Sequence, residues 1–153
     1  MASQHLALIA RYYDACSRGD ARGVAATTTD DVVHFFLAPN PGSAPVRGGE
    51  HLGRYWRKVH GMFSPVWVVD HGIVQSDQAV IEWSMFWTPA DNKDRVVTRG
   101  AEWFVVRDGR IDEIRSYYQQ KPADTELDGF PYGERSYSTH DAVRSAGHTP
   151  ALG

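Results

Sequence analysis

The stretch "TRGAEWFVVRDGRIDEIRSYY", Thr98 to Tyr118, decides the fold. It reads as two strands rich in β-branched and aromatic residues, joined at "RDG", where Asp-Gly supplies the backbone freedom of a tight hairpin. Four charges, Arg99, Glu102, Glu113 and Arg115, sit among the aromatics. Because side chains alternate across a strand, each of them faces either an enclosed interior or the outer surface of the sheet.

Two further strand-like runs, "VWVVDHGIVQ" and "QAVIEWSMFW", precede this hairpin, with turn chemistry at "SD" and "ADNKD". Short turns between consecutive strands imply an antiparallel meander. Upstream, Leu6, Ile9, Tyr13 and Cys16 recur at helical spacing over Gln4 to Arg18, and "RGD" supplies a Gly stop and an acidic start for a short second helix through Ala26. "DDVVHFFLAP", Asp30 to Pro39, is a strand that runs into the Pro/Gly-rich loop "PNPGSAPVRGG". "EHLGRYWRKVHGMF" returns to helical spacing through Leu52, Tyr55 or Trp56, Val59 and Phe63, and Pro65 ends it. The order helix, helix, strand, helix and four strands predicts an α+β fold in which helices cover one face of a curved antiparallel sheet.

A length of 153 residues suits one domain. A hydrophobic share of 42%, a charged share of 23% and a net charge of -3 describe an ordinary globular chain. Lys and Arg are scattered, and the cluster "RYWRK" reads as the solvated side of a helix, so no nucleic-acid partner is expected. Cys16 has no partner for an internal disulfide and reads as a buried thiol. No segment approaches the roughly 20 apolar residues that span a bilayer, so no membrane association and a cytoplasmic location are expected. After Lys121 the sequence is rich in Pro, Gly, Ser and charge. The division is therefore a domain over residues 1–120 and an arm over 121–153 that lies on the domain, lies on a partner, or is loose.

The opening "RYYDACSRGD", the strand start "DDVV" and the final "GAEWFVVRDGRIDEIRSYY" together resemble the SnoaL-like branch of the nuclear transport factor 2-like superfamily. That superfamily includes ketosteroid isomerases, limonene epoxide hydrolases, scytalone dehydratases, polyketide cyclases and non-catalytic binding or assembly domains. The resemblance implies a cone-shaped domain whose sheet and helices enclose a deep, mostly apolar pocket. By the same resemblance Tyr12 matches a tyrosine that hydrogen-bonds an enolate oxygen in ketosteroid isomerases. The catalytic base of those enzymes would fall on Phe36 and their acidic donor on Ala101, so steroid isomerisation is not expected. The water-activating set of the epoxide hydrolases would fall on His34, Phe36, Ser84, Phe86 and Ser116, and it too is absent.

The carried-over positions also set the side of the sheet. His34 and Phe36 share the pocket side with Val80, Glu82, Ser84 and Phe86, with Val97, Arg99, Ala101 and Trp103, and with Asp112, Ile114, Ser116 and Tyr118, while Glu102, Glu113 and Arg115 face outward. A turn at Ser76 and Asp77 pairs Gln75 with Gln78, and the register then sets His71 opposite Glu82. A histidine beside a carboxylate in an apolar cavity is a general acid/base pair. The candidate catalytic residues are therefore His34, His71, Glu82 and Tyr12. The candidate ligand-binding residues are Phe36, Trp56, Ser84, Phe86, Arg99, Trp103, Ser116 and Tyr118. The alternative for Glu82 is a structural ion pair with Arg99.

No paired histidine spacing, phosphate loop or dinucleotide loop is present, so neither a metal nor a cofactor is expected. The expected function is a cofactor-independent enzyme that dehydrates, cyclises or isomerises a small hydrophobic oxygenated molecule such as a polyketide. The alternative is a non-catalytic binding or assembly module with the same pocket. With Trp83, Met85, Trp87, Phe104 and Tyr117 read as an apolar outer face, a homodimer or higher symmetric oligomer is also expected.

Overall fold

In the computed structural model of the chain, residues 2–39, 44–91, 94–119 and 124–139 are described. Helix α1 (Ala2–Arg18) buries Ile9, Tyr13 and Cys16 of the predicted stripe together with Leu8 and Tyr12, while Leu6 is half-buried. Helix α2 (Ala21–Thr27) starts at Asp20, whose carboxylate accepts the Gly23 N–H at 2.9 Å. Strand β1 (Thr28–Phe36) follows, then the two-residue strand β2 (Val46–Arg47), which the sequence did not announce. Helix α3 (Gly49–Phe63) buries Leu52, Gly53 and Trp56 and stops at Ser64, which is left-handed at φ 45° and precedes Pro65. Strands β3 (Val66–Gln75), β4 (Gln78–Trp87), β5 (Val96–Arg107) and β6 (Arg110–Tyr117) complete the domain.

The six strands form one curved sheet in the order β2-β1-β6-β5-β4-β3. The hairpins are antiparallel as expected, but β1 pairs β6 in parallel, so the sheet is mixed. A helix and four strands separate β1 from β6 in the chain, and that long connection permits a parallel pair. Asp108 and Gly109 both take positive φ, 54° and 74°, and close the β5–β6 hairpin at Arg107 opposite Arg110.

Two bulges decide what each strand faces. Asp70 is extra on β3, because Val69 pairs Trp83 and His71 pairs Glu82. Asp112 is extra on β6, because Val105 pairs Glu113 and Val106 pairs Ile111. An extra residue reverses side-chain parity on one strand relative to its partner. Beyond the second bulge the residues opposite Ile114 and Ser116 are Phe104 and Glu102, rather than Trp103 and Ala101. The inner face therefore carries Glu102 and Phe104 of β5 with Ile81, Trp83 and Met85 of β4. Trp83, Met85, Trp87 and Phe104 belong to the core, and only Tyr117 of the five side chains assigned to an apolar outer face is exposed there. The basis for expecting an oligomer through that face is removed.

Close packing of the helices fixes α3. A Cβ on Gly53 would stand 2.4 Å from the Ala21 carbonyl oxygen, whereas Gly61 on the same helix has open space around it. Alanine is favoured over glycine in a helix by about 1 kcal/mol, so Gly61→Ala should raise stability by about that amount. Gly53→Ala should instead lower it by about 1–3 kcal/mol, because α2 and α3 must separate. Thermal denaturation of both variants checks the contrast.

The arm meets the outer face. β6 pairs β5 from Ala101 onward, and the segment from Asp124 continues along the rest of β5: Thr125 bridges Thr98, and Asp124 accepts the Val97 N–H at 3.0 Å. This covers a strand edge that would otherwise be open to another chain. Residues 121–123 and 140–153 of the arm, and residues 40–43 of the Pro/Gly-rich loop, lie outside the described residues.

Candidate functional site

Among the described residues, the interior between the helices and the inner sheet face brings together one carboxyl and one imidazole. His34 on β1 and Glu102 on β5 are 1% and 3% exposed, and their Nε2 and Oε2 atoms stand 3.6 Å apart. Ser116 on β6 sits directly opposite Glu102 in the sheet register, and its Oγ is 2.5 Å from His34 Nε2. Phe36 stacks on the His34 ring at 4.2 Å, and Trp56 of α3 closes over it at 5.6 Å. The Trp56 indole N–H donates to the Tyr12 hydroxyl at 2.8 Å. Tyr13 packs beside Tyr12, edge to face, and both rings meet Phe104.

Burial dominates the electrostatics. It raises the Glu102 pKa from 4.5 to about 7, although donor groups on Tyr13, Ser116 and Trp83 favour the ionised form. Burial lowers His34 from 6.5 to about 3, so the ring is neutral at working pH. The Tyr12 and Tyr13 hydroxyls are held well above the ordinary phenol value, again by burial first. Among the described residues five buried polar atoms have no hydrogen-bond partner of good geometry: Asp14 Oδ1 on α1, and, around the pair, Tyr13 Oη, His34 Nδ1, Trp83 Nε1 and Glu102 Oε2. Tyr13 and Trp83 thus approach the carboxyl closely enough to influence it without closing full bonds to it. Such groups are costly to bury and call for a purpose.

The structure gathers six of the predicted residues here: His34, Phe36, Tyr12, Trp56, Ser116 and Tyr118. Tyr118 lies against Trp83 at 5.2 Å, one pleat beyond Ser116, as Phe36 lies one pleat beyond His34. Phe36, Tyr118 and Tyr55 of α3 are half-buried and rim the buried cluster.

The others belong to the outer face. His71 and Glu82 are neighbours at 3.9 Å, as the register predicted, but their side chains are 66% and 48% exposed, so they do not line the interior. Trp103 is 39% exposed and donates its indole N–H to Gln78. Phe86 is buried in a small outer cluster with Val68 and Val97. Ser84 is buried on the same face, where its hydroxyl donates to Asp70 and accepts from Arg99.

Arg99 anchors the arm rather than a ligand or Glu82. Its guanidinium donates to Glu126 at 2.9 Å, to Ser84 at 2.7 Å and to the Ser138 carbonyl at 3.1 Å, and it lies 4.0 Å from the Tyr132 ring centre. Tyr137 donates to Glu82 at 2.6 Å. A cleft of about 250 Å³ remains between arm and sheet, lined in part by Glu82, Arg99 and Tyr132. Arg99→Ala should free the arm: charge-assisted bonds contribute about 1.5–3 kcal/mol each, so cleavage within residues 124–139 by a protease should quicken roughly tenfold or more. Limited proteolysis followed by mass spectrometry checks this, with the melting temperature of the domain little changed.

Sequence reasoning missed Glu102, Tyr13 and Trp83. Glu102 was assigned outward because the resemblance set its neighbour Ala101, of opposite parity, on the pocket side. The available signal was that Glu102 shares its parity with Phe104 and Val106, which continue the apolar run up to the turn. Among the described residues, no three His, Cys, Asp or Glu side chains come together so as to hold a metal ion, and no helix is long and apolar enough to cross a membrane.

Comparison with known proteins follows this geometry. None of the curated proteins matches the chain. A protein of unknown function with a cystatin-like fold from Methylobium petroleophilum PM1 is 28% identical, with 90% of this chain and 91% of that one aligned at a TM-score of 0.67. An LEH-like epoxide hydrolase of M. tuberculosis is 21% identical over 77% of this chain and 84% of its own, with a TM-score of 0.63. A protein from Jannaschia sp. CCS1 assigned as a SnoaL-like polyketide cyclase is 17% identical over 85% and 95%, with a TM-score of 0.66. At those two identities the likeness is one of fold. The sequence profile of the SnoaL-like domain matches residues 9–114, well over half of the chain. The chain belongs to the SnoaL-like family.

Proposed function

We propose that the chain is a cofactor-independent enzyme that moves a proton on a small, largely hydrophobic, oxygenated molecule, in a dehydration, cyclisation or isomerisation. The observation that carries this reading is the buried Glu102–His34 pair, 3.6 Å apart in an aromatic interior, with unpartnered polar atoms on both members and on Tyr13 and Trp83. A neutral imidazole accepts a proton, and a carboxyl whose pKa lies near 7 both gives and takes one at working pH. The Tyr13 hydroxyl and the Trp83 N–H are donors for an oxygen on which charge develops. The aromatic rim of Phe36, Tyr55 and Tyr118 suits an apolar molecular body. An epoxide hydrolase and a protein assigned as a polyketide cyclase share the fold, and both names describe work on small oxygenated molecules.

His71 and Glu82 have no part in this chemistry, since both stand in solvent. Proton transfer can be followed before the natural substrate is known. Incubation in D2O with a series of enolisable ketones and lactones, read by mass spectrometry, should show deuterium entering at the carbon next to the carbonyl faster than without protein. A chain that binds such compounds but exchanges no deuterium into any of them is a binding module, and the proposal fails.

A further inference from the structure

Ser116 stands between the two titratable groups. Its Oγ is 2.5 Å from His34 Nε2, and it lies directly opposite Glu102 across β5 and β6, near enough for the hydroxyl to favour the ionised Glu102 carboxylate. The direct Nε2 to Oε2 separation of 3.6 Å exceeds a hydrogen bond. On the far side of the ring, Nδ1 is buried and has no partner. A proton passing between imidazole and carboxyl therefore goes through the hydroxyl.

We propose that Ser116 couples the protonation state of Glu102 to the tautomer of His34, so that one proton on the carboxyl converts His34 Nδ1 from an acceptor to a donor. This rests on the reading of Glu102 and His34 as the acid–base pair. With Glu102 ionised, the carboxylate accepts the Ser116 O–H, Oγ accepts Nε2–H, and Nδ1 presents a bare lone pair. With Glu102 protonated, its O–H donates to Oγ, the Ser116 O–H donates to Nε2, and the ring proton resides on Nδ1.

The two states differ by one proton, and the relay delivers it in balance. A bond forms from Nδ1 to a proton leaving the substrate, which keeps the electron pair. Nε2 gives its proton to Oγ, and Oγ gives its own to Glu102. The reverse sequence returns a proton to substrate from Nδ1. The imidazole is neutral at both ends, which suits a ring that burial keeps from ionising. The other groups facing the pair are Phe36 from β1, Tyr12, Tyr13 and Cys16 from α1, Trp56 from α3, Trp83 from β4 and Tyr118 just past the end of β6. Burial raises the tyrosines and Cys16 away from neutrality, so Glu102 is the group among them that titrates near pH 7.

Long-range proton–nitrogen NMR on the full chain labelled with 15N-histidine reads the tautomer without any substrate, with His34 identified by its absence from His34→Gln. Between pH 5 and 9 the pyrrole-type and pyridine-type resonances of His34 should exchange places, with a midpoint near 7 and no imidazolium signal. Ser116→Ala should abolish the exchange and leave one tautomer throughout, Ser116→Thr should restore it, and Glu102→Gln should hold the low-pH form. A wild-type ring that keeps one tautomer, a ring that becomes imidazolium, or an exchange that survives Ser116→Ala overturns the relay. A fixed tautomer with deuterium exchange into substrate intact leaves the acid–base pair standing, whereas a tautomer exchange without any catalysed deuterium uptake sinks the enzymatic reading alone.

Discussion

Glu102→Gln should lower the rate of deuterium exchange into a responsive ketone or lactone by roughly two to four orders of magnitude, the usual contribution of a general acid or base. Glutamine keeps the shape of glutamate and the same polar neighbours, Ser116, Tyr13 and Trp83, but it has no proton to give or take near neutrality. The affinity for the compound should change little, so the loss falls on turnover rather than on KM. Glu82→Gln is the control: its carboxylate is 48% exposed and holds Tyr137 and the arm, so the rate should stay within about twofold of wild type, as expected of a change remote from the reacting atoms. A reversal, with Glu82→Gln inactive and Glu102→Gln active, would move the site to the outer face.

The second large effect is on stability as a function of pH, and the two members of the pair act in opposite directions. Glu102 in the folded chain holds its proton more tightly than in the unfolded chain. Its contribution is complete below about 4.5 and is lost as pH rises through about 7, a difference of about 3 kcal/mol. His34 is lowered from 6.5 to about 3, so its contribution is complete above 6.5 and is lost as pH falls through about 3, a difference of about 5 kcal/mol. Glu102→Gln should therefore match the wild type below pH 4.5 and gain on it steadily up to pH 7. His34→Gln should match it above pH 6.5 and gain on it as the solution becomes acidic. Denaturant unfolding of the three proteins across pH 3 to 8 reads both differences. Glu102→Gln below wild type at pH 8 would show that the carboxylate is paired and welcome in the fold.

The local elements were legible because their signals are local. The strands Val66–Gln75 and Gln78–Trp87 have the bounds that their turn residues set, and the register that pairs His71 with Glu82 follows from counting back from Ser76 and Asp77. The SnoaL-like family was legible for the same reason, since three separate segments agree in order. The interior was only half legible. His34 and Ser116 lie on strands whose inward parity was assigned as observed, and Tyr118 follows directly after the second of them. Glu102 does not, because an uninterrupted hairpin counted from Asp108 and Gly109 brings Ala101 opposite Ser116, and the extra residue at Asp112 brings Glu102 there instead.

Asp112 itself carries no strong mark of a bulge. Its carboxylate accepts from Thr29 on β1, across the fold, and from Arg107 at the turn end of β5, and these contacts hold it out of register. The same shift moves β4 along with β5, since those two strands pair without interruption, and so exchanges Glu82 and Arg99 for Trp83 and Glu102 on the inner face. A single inserted residue on β6 thus accounts for the misplacement of Glu82, Ser84, Phe86, Arg99 and Trp103 together.

The arm's docking was legible only as composition. Pro, Gly and charge show that residues 124–139 build no core, but that Arg99 would reach Glu126, Ser138 and Tyr132 depends on which way β5 faces.

The central claim is that Glu102 is buried beside a neutral His34 and titrates near neutrality. Its most direct test is the carboxyl signal of Glu102 itself, followed by carbon-detected NMR of the full chain labelled with 13C-glutamate and assigned by its loss in Glu102→Gln. The account predicts a midpoint near 7. A midpoint near the ordinary carboxylate value of about 4.5 would contradict it, because the group would then be solvated or ion-paired and unable to exchange a proton with His34 at working pH.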